Sequence, residues 1–157
     1  MKVNPQERAE QAREYFTSGY NCAQSVFLAY QDITGIDEVL AATISAPFGG
    51  GMGRLREVCG AVSGMTMVAG FIAPNSQPND NENKKNCYAT VQALAEEFRA
   101  ENGSIVCREL LNGTGATSGG QPEARTDEYY KKRPCAEIVK LAVRILADMG
   151  FHAAAQK

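Results

Sequence analysis

Apolar residues in this chain recur at helical spacing almost throughout, and strand-type alternation is hard to find. That periodicity narrows the fold more than any other feature. Residues 5–17, rich in Glu, Gln, Arg and Ala, read as a polar helix stopped by Ser18-Gly19. Asn21 with Gln24 three residues on has the form of a reciprocal capping box, opening a helix that carries Cys22, Val26, Phe27 and Tyr30. Asp37 caps a short helix through Val39, Leu40 and Ile44, which Pro47 ends. An apolar helix follows over about residues 56–72, where Gly60 and Gly64, one turn apart, admit a neighbouring helix closely. A long surface helix over residues 82–101 carries Val91, Leu94, Ala95 and Phe98 and ends at Asn102-Gly103. Ser104 caps a short helix through Ile105, Cys107, Leu110 and Leu111. Residues 112–127 hold almost no large apolar side chain, and a segment of that length reads as a lid, a binding loop or a mobile stretch. Pro134 opens a last helix through Ile138, Leu141, Ile145 and Leu146 that Gly150 ends, with residues 152–157 as a loose tail. The expected fold is all-α, one compact helical domain over residues 1–157 built from five to seven helices and a glycine-rich loop.

Charge excludes some functions at once. Sixteen Lys and Arg against 18 Asp and Glu give a net charge of −2, so neither nucleic acid nor a membrane is an expected partner. The first eight residues are charged and polar where a signal peptide needs an apolar stretch. The most apolar run, residues 58–73, is shorter than the roughly 20 residues that span a bilayer. The expected compartment is the cytoplasm, where thiols stay reduced, and an odd number of Cys agrees with free thiols. The lone His152 excludes chemistry that needs several imidazoles.

Five Cys in 157 residues is about 3%, below the roughly 8–10% of a disulfide-stapled scaffold, yet enough to make thiols the first question. Four of them share a position. Cys22 follows a cap, Cys107 lies three residues after one, Cys135 follows Pro134, and Cys59 falls near the first turn of the apolar helix. Helix N-termini carry partial positive charge and unpaired N–H groups, which lower a thiol pKa. Cys87 is the exception, inside the long helix beside Lys84, Lys85 and Asn86. The competing account is that a free Cys fills space in the core. The four are 37, 48 and 28 positions apart, with no Cys-x-x-Cys, so a zinc ribbon and a thioredoxin-like motif are both absent. Any common site is assembled by the fold. Four thiolates would hold zinc or an iron–sulfur cluster; two would cycle between dithiol and disulfide.

Gly49-Gly50-Gly51-Met52-Gly53 follows a helical segment and lacks the Gly-Lys-Ser/Thr ending of a phosphate loop. It marks close backbone approach or positive φ. A tight turn accounts for it, as does a nest of N–H groups for an anion beside a thiolate or cluster. Arg54 and Arg56 next door either reinforce such a nest or are solvated surface charges.

Taken together, Asn21-Cys22-Ala23-Gln24, Phe48-Gly49-Gly50-Gly51-Met52-Gly53-Arg54, Cys59-Gly60-Ala61-Val62-Ser63-Gly64, Cys107-Arg108-Glu109-Leu110 and Cys135 span most of the chain. In that order they resemble the redox-active proteins named after a Cys…Gly-Cys-Ala-x-x-Gly…Cys…Cys pattern. One departure is that Cys59 here precedes Gly60, and Cys87 has no counterpart. The resemblance implies a small, largely helical bacterial or archaeal protein with a redox or metal-linked role and no defined substrate. The leading expectation is that Cys22, Cys59, Cys107 and Cys135 converge as redox thiols, with Cys59 the central thiolate. Gly49, Gly50, Gly51, Gly53 and Arg54 would back the site and any cofactor. The chemistry is then thiol–disulfide exchange, or electron transfer through a thiolate-bound iron–sulfur cluster, with the same four cysteines as metal ligands. Two other classes compete: a non-catalytic zinc-binding or structural module, and an interaction protein whose cysteines are core residues. The expected partners are a redox protein and, for a bundle this small, a second copy of the chain.

Overall fold

The fold is that of a computed structural model, which describes residues 3–150. Among these residues there are nine α-helices, six of them seven residues or longer, and no β-strand. The all-α expectation holds, and the tail at residues 152–157 lies outside the described residues. α1 (Pro5–Thr17) is capped by Asn4, whose side chain accepts from the Gln6 N–H at 2.8 Å. α2 (Cys22–Leu28) starts on the full capping box: Asn21 accepts from Gln24 N–H while the Gln24 side chain accepts from Asn21 N–H. A four-residue α3 (Gln31–Thr34) continues the direction before Gly35 turns the chain in the left-handed region. Asp37 caps α4 (Glu38–Ser45), and Pro47 sits in the 3-10 turn that ends it.

α5 (Gly60–Ile72) is central, contacting α2, α3, α6 and α9. It begins at Gly60 and not near residue 56. Arg56 takes a left-handed backbone, and Val58 pairs with Val106 in an isolated antiparallel bridge. α6 (Asn81–Asn102) ends on the left-handed Gly103. The short helix expected from Ser104 is α7 (Cys107–Leu110), because the Ser104 hydroxyl accepts from Val106 N–H at 2.9 Å while Val106 stays extended. α8 (Asp127–Lys132), capped by Thr126, is an addition to the expected helices and leaves residues 112–126 as the irregular segment. α9 (Cys135–Asp148) runs to the left-handed Gly150 and lies along α1. Among the described residues no helix is long and apolar enough to cross a membrane.

The core lies between these helices. Phe16 of α1, Phe27 of α2, Met65 of α5, Phe98 of α6 and Leu146 of α9 are all buried. Arg8 is buried too, and its guanidinium spans Ala29 O at 2.5 Å and both Asp32 carboxylate oxygens at 2.6 and 2.8 Å, tying α1 to α3. The glycine step on α5 does what its spacing implies. A Cβ on Gly64 would stand 2.7 Å from Val26 Cβ of α2, whereas one on Gly70 would meet nothing within 4 Å. Overpacking costs about 1–3 kcal/mol, while Ala in place of a helical Gly contributes about 1 kcal/mol. Gly64→Ala therefore lowers the denaturant midpoint, and Gly70→Ala raises stability by about 0.5–1 kcal/mol. Equilibrium unfolding of the two variants beside the parent checks both signs.

Candidate functional site

Four helix starts meet at one place. Cys22, Cys107 and Cys135 are the first residues of α2, α7 and α9, and Cys59 is the cap residue of α5. All four line a single cavity of about 300 Å³. Cys59, Cys107 and Cys135 are buried and Cys22 is partly exposed. Two of them are placed by local pairing: Cys59 N–H donates to Ile105 O at 2.8 Å and Cys107 N–H to Glu57 O at 2.6 Å, either side of the Val58–Val106 bridge. All five thiols are free, and Cys87 lies on α6, away from the cavity lining.

The glycine segment forms part of the wall, with Gly49, Gly50, Gly51 and Gly53 all lining the cavity. Both meanings read from its composition are present. Gly50, Gly51, Met52, Gly53, Arg54 and Arg56 all have positive φ, between 55° and 70°. For the three non-glycine residues that costs of order 1–3 kcal/mol each, a conformation the surrounding structure must enforce. The close approach is at Gly51, where a Cβ would come within 2.6 Å of Cys107 Cβ and 2.8 Å of Glu57 N. Most of the segment's N–H groups are spent inside it: Met52, Gly53, Arg54, Leu55, Arg56 and Glu57 donate to carbonyls between Pro47 and Met52.

Across the cavity, residues 112–126 are held down by arginine. Arg54 donates to the carbonyls of Thr117 at 3.0 Å and Gly119 at 2.5 Å and also bonds Gln121 O. Arg56 Nε donates to Thr117 O at 2.9 Å, and its Nη1 lies 3.6 Å from Cys107 Sγ. Glu123 is the shared carboxylate, 3.2 Å from Arg54, 3.9 Å from Arg56, and hydrogen-bonded by Arg133. Burial pushes its carboxyl up, but Thr117 N–H and hydroxyl with the Arg133 and Arg56 charges outweigh this and hold it below the usual value. Arg125 donates to Phe16 O and Tyr20 O, both at 3.0 Å, and stacks 4.6 Å from the Phe16 ring and 4.9 Å from that of Tyr129. Arg54 and Arg56 are thus largely buried structural and electrostatic elements, not solvated charges.

The thiols divide sharply in acidity. The neighbouring Cys22 thiol, followed by the Arg133, Arg56 and Arg125 charges, favours the Cys135 thiolate and holds that thiol below the ordinary cysteine value against its burial. The same neighbour and burial push Cys22 well up. Burial pushes Cys107 up despite Arg56. Cys59, expected as the central thiolate, is pushed up by burial to about 12, although the Ala61 and Val62 amides pull the other way. A helix start alone therefore does not make a thiolate here, because desolvation opposes it at every one of the four. Among the described residues no three Cys, His, Asp or Glu side chains close into a group that would hold a metal ion.

The sequence reading named Arg54 and Arg56 but missed Glu123, Arg125 and Arg133, which line the same cavity. The available signal was Arg133, two residues before Cys135 at a helix start. Fold and site together define an all-α protein with a thiol-lined, arginine-walled cavity. The chain belongs to the family described as "Putative redox-active protein (C_GCAxxG_C_C)", whose model matches residues 20–149. No match is found among curated proteins or solved structures.

The attachment of residues 112–126 is testable by hydrogen exchange. Arg54→Ala removes the donors to residues 117–121, and amide exchange there accelerates by about tenfold or more, with α5 and α9 unchanged. Glu123 gives the pH sign. Its lowered folded pKa means the attachment is complete above the usual carboxyl range and is lost as pH falls through the folded value. Exchange in this segment should rise selectively in acid.

Proposed function

We propose that this redox-family protein is a dithiol exchanger in which Cys135 is the attacking thiolate and Cys22 its resolving partner. The observation that carries the reading is that Cys22 and Cys135, the first residues of α2 and α9, open onto one cavity whose arginines face Cys135, the one cavity cysteine held low. Three arginines add to the field that favours its ionised form. A thiolate is the attacking form, and both thiols border the cavity.

The oxidative half of the cycle balances without a further reactant. The Cys135 thiolate attacks a small-molecule disulfide, forming a mixed disulfide and expelling one substrate thiolate. That thiolate takes the proton from the Cys22 thiol. The Cys22 thiolate then attacks Cys135 Sγ, closing a Cys22–Cys135 disulfide and releasing the second substrate thiolate. The substrate disulfide is reduced by two electrons and the protein pair is oxidised by two. A redox partner protein returns the electrons, and the cytoplasm is the compartment in which the dithiol form persists. Cys59 and Cys107 stay as neutral thiols that complete the wall. Closing the disulfide requires two sulfurs, Cys22 and Cys135, to draw together from their present separation, whereas a thiolate-bound iron–sulfur cluster or zinc site would require all four to do so.

Equilibration in dithiothreitol redox buffers, followed by peptide mapping, tests the proposal. The expected product is one reversible disulfide linking Cys22 to Cys135, lost in Cys22→Ser and Cys135→Ser and retained in Cys87→Ser. Stoichiometric iron or zinc after anaerobic purification, with no reversible disulfide, would overturn it. The rate of attack rises with pH through the Cys135 pKa, below the ordinary thiol range. Cys22→Ala removes the thiol neighbouring the thiolate and moves that midpoint upward.

A further inference from the structure

The cavity's charge is out of keeping with the chain's. Arg54, Arg56, Arg125 and Arg133 line it and Glu123 is the one acidic lining residue, which leaves 4 − 1 = +3 in a protein of net charge −2. Arg125 donates to two backbone carbonyls and the Tyr130 hydroxyl, none of which cancels its charge, and among the described residues no carboxylate is in ion-pair range of it. Arg133 is only 9% exposed, and among the described residues its side chain makes one hydrogen bond, from Nη2 to Glu123. Arg56 reaches Glu123 only at 3.9 Å. A Cys135 thiolate neutralises one of the three charges, so two remain in a largely desolvated wall, where unpaired charge is costly.

We infer that the cavity binds a small carboxylate-bearing disulfide, or the thiol it yields, as the substrate of the exchange. The volume of about 300 Å³ is at the lower end of small-ligand sites and too small for a folded protein. That a carboxylate fits the wall is shown by Glu123, whose carboxylate the arginines already hold from within the chain. The planar guanidinium fork matches that group. Phe16, Leu110, Pro122 and Ile138 supply an apolar lining for the short stem that joins carboxylate to sulfur. The chemistry rests on the dithiol reading; the anion site does not.

Two measurements separate them. At low ionic strength, the rate of oxidation of the reduced protein is compared for dithiodipropionate, hydroxyethyl disulfide and cystamine, which are anionic, neutral and cationic. The anionic compound reacts about tenfold faster than the neutral one, cystamine is slowest, and added salt narrows the spread. The anionic-to-neutral ratio cancels the Cys135 thiolate fraction and falls in Arg125→Gln. Calorimetry on the unaltered protein then uses suberate, the all-carbon counterpart of dithiodipropionate, against hexanediamine. Suberate binds at low salt and hexanediamine does not. Equal rates with all three disulfides, or no suberate binding, overturns the anionic-substrate inference and leaves the dithiol reading standing. Suberate binding with no reaction of any disulfide does the reverse.

Discussion

Three arginines sharing the Glu123 carboxylate is the interaction on which the site depends. Arg54 and Arg56 come from the glycine segment, Arg133 from the start of α9, and Glu123 from the long irregular loop. Their convergence closes residues 112–126 over the cavity, and it joins three stretches of chain that share no helix. The same charges act on the sulfurs. Arg133 and Arg56 both favour the ionised form of Cys135, and Arg56 also reaches Cys107. One cluster thus decides the shape of the cavity and the acidity of its thiols. A positive field in a buried wall would be costly unless something used it. Here Glu123 absorbs part of it, and in the proposed exchange a Cys135 thiolate takes a further share.

The helices supply position, and burial decides chemistry. Each of the four cavity cysteines stands at a helix start, where unpaired amides favour an anion. Desolvation opposes that in all four, and it wins at Cys22, Cys59 and Cys107. At Cys135 the neighbouring Cys22 thiol and three cations tip the balance the other way. In the exchange we propose, differentiating like groups by environment gives two thiols different parts, one attacking and one resolving. The rigid frame comes from close helix packing, above all α2 on α5 through Gly60 and Gly64.

Much of the fold was legible in the sequence because caps and periodicity are local. Ser18-Gly19, the Asn21–Gln24 box, Asp37, Gly103 and Gly150 mark helix ends within a residue or two of where they lie. The placement of the four cysteines at helix starts followed from the same signals. What was not legible depends on pairing across the chain. Val58 with Val106 delays the start of α5 and of α7, and no local pattern announces a bridge between segments 48 residues apart. Singling out Cys59 failed for a related reason, since its depth is set by packing around it. Glu123, Arg125 and Arg133 looked like ordinary charged residues of a loop and a short helix. Only the fold turns them toward the thiols.

The central claim is that one thiol, Cys135, ionises ahead of its neighbours because Cys22 and the arginines favour its thiolate. An NMR pH titration of the cysteine Cβ resonances reads each thiol separately in the intact protein. The account predicts that Cys135 titrates first among the four cavity cysteines, below the ordinary thiol range, while Cys59 stays protonated far into alkali, toward about 12. Ionisation of Cys59 or Cys107 before Cys135, or of all four together in the ordinary range, would contradict it.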